Sequence, residues 1–251
     1  MRRSRRPYIT TNYYKLYYYR KSKAFVVRAA KLDLPESANA IPKDAKEALS
    51  GPNKDKWIQA FERELNSIKE KDVWTIQAPP PGRKVLPGRW VLSTKLNADG
   101  SIARYKARWV AKGFEQVEGL DYNVTFSSVV KTSSWKTLLA LGTKNNMEME
   151  HSDVETAYLE SPITEEVWVE QPHCFEQGTG ACRLKKALYG LKQSAREWYE
   201  TLKHKLTQMG FKSLKKDHSI FKHYNSSIIA IYIDDLFIIA PTKQKISAIK
   251  E

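Results

Sequence analysis

Two aspartates stand between two apolar runs in the stretch that decides the fold, Ile228-Ile229-Ala230-Ile231-Tyr232-Ile233-Asp234-Asp235-Leu236-Phe237-Ile238-Ile239-Ala240. The β-branched runs predict a β-hairpin that carries both carboxylates at its tip. Ionised carboxylates between apolar strands lose hydration and repel each other unless positive charge is close by. A bound Mg²⁺ or Mn²⁺ ion would supply that charge. A hairpin turn that merely uses aspartate, a favoured turn residue, explains the pair equally well.

A further carboxylate lies upstream of the hairpin. Residues 147–154 predict a strand, and Asp153 lies near its C-terminal end. An aromatic side chain, Tyr158, follows this aspartate by five residues. The arrangement becomes informative only in combination with the other motifs of the chain.

Cationic and apolar side chains alternate in the strand predicted at residues 102–111. A period of two places Arg104, Lys106 and Arg108 on one face of that strand. Such a face suits a triphosphate or a nucleic-acid backbone, and it equally suits the solvated outer face of a sheet. A second strand is predicted at residues 89–96, and the Asp-Gly between the two predicts that they form a hairpin.

Apolar residues at helical spacing predict four helices, at residues 43–49, 55–71, 133–145 and 195–209. The second of these helices shows the clearest pattern. Its apolar stripe consists of Trp57, Phe61, Leu65 and Ile68. We expect these side chains to face a core rather than a ligand.

Positive charge is concentrated at the N-terminus. The chain of 251 residues has a formal net charge of +14, and residues 1–31 contain ten basic and no acidic side chains. This composition, mixed with tyrosines, predicts a poorly ordered arm over residues 1–42. Two interpretations remain open: the arm contacts phosphates without sequence preference, or it is a solvated linker from a longer polyprotein.

Several classes of protein are disfavoured by the sequence. The two cysteines, Cys174 and Cys182, form no CxxC pair, so neither a disulfide framework nor a zinc finger is indicated. The longest apolar run is too short to span a membrane and contains two charges. The basic start is not followed by the apolar segment of a signal peptide. We therefore expect an intracellular protein, in a cytoplasmic particle or the nucleus, that is not secreted and has no membrane partner.

The order of these motifs resembles the reverse transcriptase domain of Ty1/copia-type retrotransposons over roughly residues 45–251. The segments that carry the resemblance are RYKARWVAKGF (residues 104–114), DVETAYL (153–159), LYGLKQ (188–193) and YIDD (232–235). The resemblance implies an α+β fold, the fingers and palm of a right-hand polymerase, with an antiparallel sheet backed by helices. The implied fingers are about residues 43–120 and 166–192, and the implied palm is about residues 121–165 and 193–251. The thumb and the RNase H domain are expected to be absent.

The resemblance also implies a catalytic site with two Mg²⁺ (or Mn²⁺) ions. Asp153, Asp234 and Asp235 match the catalytic, metal-binding carboxylates of the family and are expected to converge in space. In the two-metal scheme, one ion activates the primer 3′-hydroxyl, and the other holds the triphosphate and stabilises the leaving pyrophosphate. The implied partners are an RNA or DNA template with its primer, deoxynucleoside triphosphates and other domains of a retrotransposon polyprotein.

Further side chains take roles from the same resemblance. Tyr158 matches the aromatic residue that excludes a 2′-hydroxyl, and the small Ala157 lets the sugar approach. Gln193 resembles a glutamine that lines the nucleotide pocket. The remaining candidates are Lys106 and Arg108 for the triphosphate, and Arg104 and Tyr232 for nucleic acid.

The sequence departs from the family at two places. Glu160-Ser161-Pro162 replaces the usual Asn-Gly after the first motif, and Cys174 stands where a glycine is usual. Two functions therefore remain open. The chain is either an RNA-directed DNA polymerase domain that transfers deoxynucleotides to a primer, or a catalytically silent retroelement remnant that at most binds nucleic acid.

Overall fold

The computed structural model describes residues 41–250. The predicted arm, residues 1–42, lies outside this range except for its last two positions. The helices are α1 (Ala45–Ser50), α2 (Lys54–Glu70), α3 (Thr132–Lys144), α4 (Ser194–Gln208) and α5 (Lys243–Lys250). Within this part of the chain, no helix is both long and apolar enough to cross a bilayer.

The strands form three separate sheets in which every pairing is antiparallel. The strands are β1 (Trp74–Gln77), β2 (Gly88–Leu96), β3 (Ile102–Ala111), β4 (Glu148–Asp153), β5 (Trp168–Val169), β6 (Ala181–Leu184), β7 (Lys212–Ser213), β8 (Ile220–Lys222), β9 (Ile228–Tyr232) and β10 (Asp235–Ala240). The orders are β4-β10-β9-β8-β7, β1-β6-β5 and β2-β3. The expectation of an α+β fold with antiparallel sheets is confirmed.

Helices cover both faces of the five-stranded sheet, because its central strands are apolar on both sides. Ile229 and Ile231 of β9 lie in one buried cluster with Trp198 and Leu202 of α4. The intervening Ala230 lies in a second cluster, to which α3 contributes. This alternation follows from the period of two along a strand. The polar ends of β4, β9 and β10 are therefore the places in this sheet where carboxylates can lie close together.

The β2–β3 hairpin packs on helix α2. Tyr105 and Trp109 of β3 are buried in one cluster with Trp57 and Phe61 of α2. The rings of Trp57 and Tyr105 meet edge to face, with 4.8 Å between centroids. Because these side chains take one face of β3, the three intervening cations lie on the other face, as the alternation predicts.

Strands β1 and β6 and helix α5 are not predicted by the sequence analysis. Both strands are four residues long and pair with each other although they lie far apart in the sequence, with Trp74 opposite Leu184 for example. A strand of four residues has too few positions for a period of two to be recognised in the sequence.

Cys174 stands where the family usually has a glycine. Its φ of +71° lies in the left-handed region that glycine tolerates best.

Candidate active site

Three aspartates from distant parts of the sequence meet at one end of the five-stranded sheet. Asp153 ends β4 and lies opposite Asp235, the first residue of β10, in the strand register. Asp234 occupies the turn between β9 and β10. Carboxylate oxygens of all three lie within 4.8 Å of one another. The predicted hairpin with carboxylates at its tip and the predicted convergence with Asp153 are therefore confirmed.

Two hydrogen bonds hold the turn that contains Asp234. The backbone N–H of Val154 donates to the carbonyl oxygen of Asp234 at 2.9 Å. The indole N–H of Trp198 in α4 donates to the carbonyl oxygen of Ile233 at 2.8 Å. Ile233 has a φ of +60°, in the left-handed region that a β-branched side chain disfavours. The surrounding structure thus enforces a backbone conformation that the local sequence opposes.

The carboxylate of Asp235 shows the electrostatic cost of this convergence. Burial raises the pKa of Asp235 above its ordinary value, His151 lowers it, and the Asp234 and Asp153 carboxylates raise it. The Nε2 atom of His151 lies 3.0 Å from Oδ1 of Asp235. Like charges at such separations disfavour ionisation until a cation joins them. Hard oxygen donors in this arrangement are suitable ligands for a divalent ion.

A cleft adjoins the aspartates and connects them to the β2–β3 hairpin. Asp153 and Asp234 both line it. Its basic lining residues are Arg63, Lys95, Arg104, Lys106 and Arg108. The two carboxylates and the cationic face of β3 therefore share one concave surface, which is the arrangement expected of a site for a metal-bound polyphosphate.

Lys106 and Arg108 occupy distinct environments in this cleft. Burial, followed by the charges of neighbouring cations, lowers the pKa of Lys106, whereas Asp153 raises it. The guanidinium of Arg108 lies over the ring of Tyr189, with 5.1 Å from Cζ to the centroid. Its Nε atom is buried and has no hydrogen-bond partner among residues 41–250. A buried donor of this kind is suited to an anionic ligand.

Tyr158 and Ala157 line the same cleft. Thr156, with a φ of +54°, turns the chain after β4 into the short 3-10 helix that contains both residues. Tyr158 is half-buried, and burial and then the Asp234 carboxylate raise the pKa of its hydroxyl. Its ring lies 5.7 Å from that of Tyr189, measured between centroids. The cleft therefore has an aromatic wall close to the aspartates.

Gln193 lies outside the lining of this cleft, and its predicted contact with a nucleotide stays a prediction. Its side chain is fully buried, and its Nε2 donates to the carbonyl oxygen of Asp121 at 2.8 Å. Its Oε1 accepts from Nε2 of Gln116 at 3.0 Å. The amide is thus used to join two segments of the chain. From the same motif it is Tyr189 that reaches the cleft.

The two residues predicted to contact nucleic acid lie in different places. Arg104 is exposed and lines the cleft. Tyr232, the last residue of β9, is half-buried and packs against the apolar cluster that contains Ala230 and Phe237. It precedes the acidic turn but lies outside the lining of the cleft.

Glu64 of α2 is a cleft residue that the sequence analysis missed. It is 7% exposed, and its Oε1 accepts the backbone N–H of Trp109 at 3.3 Å. Burial raises the pKa of Glu64 to about 7, although this hydrogen bond, Arg108 and Lys106 act to lower it. A signal was available, because Glu64 falls at helical spacing within the apolar stripe of α2, after Phe61.

Three carboxylates that converge at the end of an antiparallel sheet, beside a cationic cleft, are typical of the class of enzymes that transfer phosphoryl groups with divalent metals. The sequence comparisons narrow this class. Residues 71–251 match the family of the reverse transcriptase (RNA-dependent DNA polymerase). The chain therefore belongs to this family.

Relatives of the chain are polyproteins of transposons. It is 36% identical to the retrovirus-related Pol polyprotein from transposon TNT 1-94 of Nicotiana tabacum, over 83% of the chain and 16% of that polyprotein. It is 39% identical to the corresponding polyprotein from transposon RE2 of Arabidopsis thaliana, over 80% of the chain and 14% of that polyprotein. A truncated transposon Ty1-A Gag-Pol polyprotein of Saccharomyces cerevisiae is 30% identical over 81% of the chain and 16% of its own length. The chain thus spans about a sixth or less of these curated relatives.

Proposed function

We propose that the chain is the RNA-directed DNA polymerase domain of a Ty1/copia-type retrotransposon and adds deoxynucleotides to a primer 3′-hydroxyl. The observation that supports this most strongly is the convergence of Asp153, Asp234 and Asp235 within 4.8 Å in a member of the reverse transcriptase family. Three carboxylates at this separation repel one another unless cations bind between them, so their convergence favours a site for divalent ions.

The donor set suits two divalent ions. Asp153, Asp234 and Asp235 are the residues that would hold these ions. When bound, such ions polarise the attacking hydroxyl and stabilise the charge on the leaving pyrophosphate. The contribution of the protein is to hold the carboxylates close together before the ions arrive, so that less conformational freedom is lost on binding.

The cations of β3 are proposed to bind the triphosphate. Lys106 and Arg108 share the cleft with Asp153 and Asp234, so they can neutralise phosphate oxygens near the ions. The unpaired Nε of Arg108 offers a buried donor to such an oxygen. Arg104, which is more exposed, is proposed to contact the nucleic-acid backbone farther from the ions.

Tyr158 is proposed to select the sugar of the incoming nucleotide. It lines the cleft near Asp234, and a ring beside the sugar leaves little room for a 2′-hydroxyl. Ala157, which is nearly fully buried, presents too small a side chain to obstruct the sugar. Tyr189 is proposed to line the nucleotide pocket as well, since its ring contacts both Tyr158 and the guanidinium of Arg108. Gln193 remains proposed from the resemblance to contact the nucleotide.

The division into fingers and palm belongs to this proposal. The segments at about residues 43–120 and 166–192 would form the fingers, which include the β2–β3 hairpin. The segments at about residues 121–165 and 193–251 would form the palm, which includes the five-stranded sheet. The relatives are long Pol polyproteins, so a template with its primer and other domains of such a polyprotein are the proposed partners.

Primer extension on an RNA template tests this function. Purified protein should extend a DNA primer with deoxynucleoside triphosphates when Mg²⁺ or Mn²⁺ is present, and a chelator should abolish extension. Supplying the neighbouring polyprotein segments of a close relative covers the case in which those domains hold the primer. A protein that binds template and primer but extends nothing under either condition would be the catalytically silent remnant.

A further inference from the structure

The indole of Trp198 makes a contact that ordinary core packing does not explain. Trp198 is 3% exposed and lies in the apolar cluster between α4 and the five-stranded sheet. Its single donor, Nε1, reaches the carbonyl oxygen of Ile233 at 2.8 Å. This carbonyl belongs to the peptide that directly precedes Asp234.

Ile233 is the strained member of this turn. Its φ of +60° costs a β-branched residue free energy that a glycine or an asparagine would largely avoid. A strained residue persists only where its surroundings determine its conformation. The Trp198 indole donates to the carbonyl oxygen of Ile233 itself. The backbone N–H of Val154 donates to the next carbonyl oxygen, that of Asp234. The second bond also links the turn to the strand of Asp153.

We propose that Trp198 is a positioning residue of the metal site: its indole N–H holds the Ile233 peptide in the left-handed conformation and thereby sets the directions of the Asp234 and Asp235 carboxylates. This inference rests on the proposed function in one respect, namely that the carboxylates bind divalent ions. A tryptophan of the core alone would contribute packing that phenylalanine largely replaces. The hydrogen bond is the part that only tryptophan supplies.

The chain offers a matched control in Trp90. It is also buried, at 6% exposure, and its Nε1 donates to a backbone carbonyl, that of His173, at 2.9 Å. This hydrogen bond lies in the cluster around the β2–β3 hairpin, away from the acidic turn. Trp198→Phe and Trp90→Phe therefore remove the same type of bond from two different places.

Binding of Mn²⁺ alone, followed by electron paramagnetic resonance, is the first readout. We expect Trp198→Phe to weaken Mn²⁺ binding by roughly three- to tenfold, which is the effect of losing about one hydrogen bond. Trp90→Phe should bind Mn²⁺ like the unmodified protein. Adding Ile233→Asn to Trp198→Phe should restore most of the lost affinity, because asparagine adopts the turn conformation with less strain. Equal Mn²⁺ affinities of the two single variants would overturn the proposal.

Amide hydrogen exchange of Val154, measured by NMR without metal, is the second readout. We expect faster exchange in Trp198→Phe than in Trp90→Phe, because a loosened turn releases the Val154 N–H more often. Equal exchange would also overturn the positioning role. Failure of the unmodified protein to bind Mn²⁺ is a separate outcome: it contradicts the proposed metal site, while the exchange measurement still decides whether Trp198 holds the turn.

Discussion

The two hairpins that border the cleft are built on opposite principles. In the β2–β3 hairpin the loop follows local preference: Asp99 accepts hydrogen bonds from the N–H and hydroxyl of Ser101, and Gly100 takes a φ of +87°. In the β9–β10 hairpin the residue with positive φ is Ile233, and the aspartates crowd together instead of capping the loop.

This difference separates a turn that follows local preference from a turn whose geometry depends on the rest of the fold. The β2–β3 loop is exposed and contains the residue types that its geometry requires. The β9–β10 turn violates two local rules, since it combines a strained isoleucine with adjacent repelling carboxylates. Such violations are stable only when the rest of the fold supports them, and they concentrate at functional sites.

The largest predicted effect comes from neutralising one aspartate in each of the two turns and comparing the activities. We expect Asp234→Asn to lower primer extension by about a thousandfold, because it removes a charge that stabilises the reacting centre. Asp99→Asn should leave extension nearly unchanged. Thermal melting of both variants checks that they are folded. Similar activities of Asp234→Asn and the unmodified protein would remove the β9–β10 turn from the catalytic site.

The next largest effect concerns Glu64, which lines the cleft and accepts a hydrogen bond from the backbone of Trp109 in β3. Burial raises its pKa from an ordinary 4.5 to about 7, so the folded state keeps a proton that the unfolded state has lost between those values. The free energy of unfolding should therefore fall as pH rises through this range, by about 3 kcal/mol in total. Denaturant unfolding at a series of pH values measures this fall.

Replacing Glu64 with Gln should remove most of this pH dependence and stabilise the protein above neutral pH. The charged or titratable groups that act on Glu64 are Arg108, Lys106 and Tyr189, with Arg63 beside it on α2. Glu62→Gln, an exposed change on the same helix, is the control and should preserve the slope. An unchanged slope in Glu64→Gln would mean that its carboxylate ionises normally.

Tyr158 should affect the choice of sugar more than the stability of the fold. We expect Tyr158→Val to improve the use of ribonucleotides relative to deoxynucleotides by about tenfold, or 1.4 kcal/mol, if the lost clash is the selecting interaction. The ratio of kcat/KM values for the two nucleotides measures this change. If Tyr158 instead serves only the core, the variant should lose about 3–5 kcal/mol of stability and keep the original selectivity.

The smallest predicted effects are changes in the free energy of unfolding, and they should have opposite signs at the two turns. Ile233→Asn should stabilise the protein by about 1 kcal/mol, because asparagine tolerates positive φ better than isoleucine. Gly100→Ala should destabilise it by about 1 kcal/mol, because alanine resists the φ of +87° at this position. Denaturant unfolding compares the two variants. A destabilised Ile233→Asn would indicate that side-chain packing outweighs the backbone strain.

Periodicity was sufficient to predict the elements whose apolar residues repeat locally. The apolar stripe of α2 predicted a helix at residues 55–71, and the structure has Lys54–Glu70. The alternation around Lys106 predicted β3, whose observed bounds are Ile102–Ala111. The same signal is weak in β1 and β6, because their burial depends on partners that lie far away in the sequence.

The candidate site likewise contains residues that the sequence predicts and residues that it does not. The aspartates could be predicted because DVETAYL and YIDD resemble motifs of the family, whereas the apolar pattern alone left an ordinary hairpin turn equally open. Which residues of LYGLKQ line the cleft could not be predicted, because Gly190, with a φ of +89° and a close approach to the carbonyl oxygen of Ala111, turns the chain within this motif. As a result Tyr189 reaches the cleft, while Gln193 is buried. The direction of a side chain after such a turn depends on how the whole fold packs and cannot be inferred from the local sequence.

Anomalous diffraction from a crystal soaked in MnCl₂ tests most directly whether the three aspartates form a divalent-metal site. We expect anomalous density between Asp153 and Asp234, about 2.0–2.6 Å from their carboxylate oxygens. An Asp234→Asn crystal treated in the same way should lose this density. Manganese density elsewhere on the protein, with none between these aspartates, would contradict the assignment of the β9–β10 turn as the metal site.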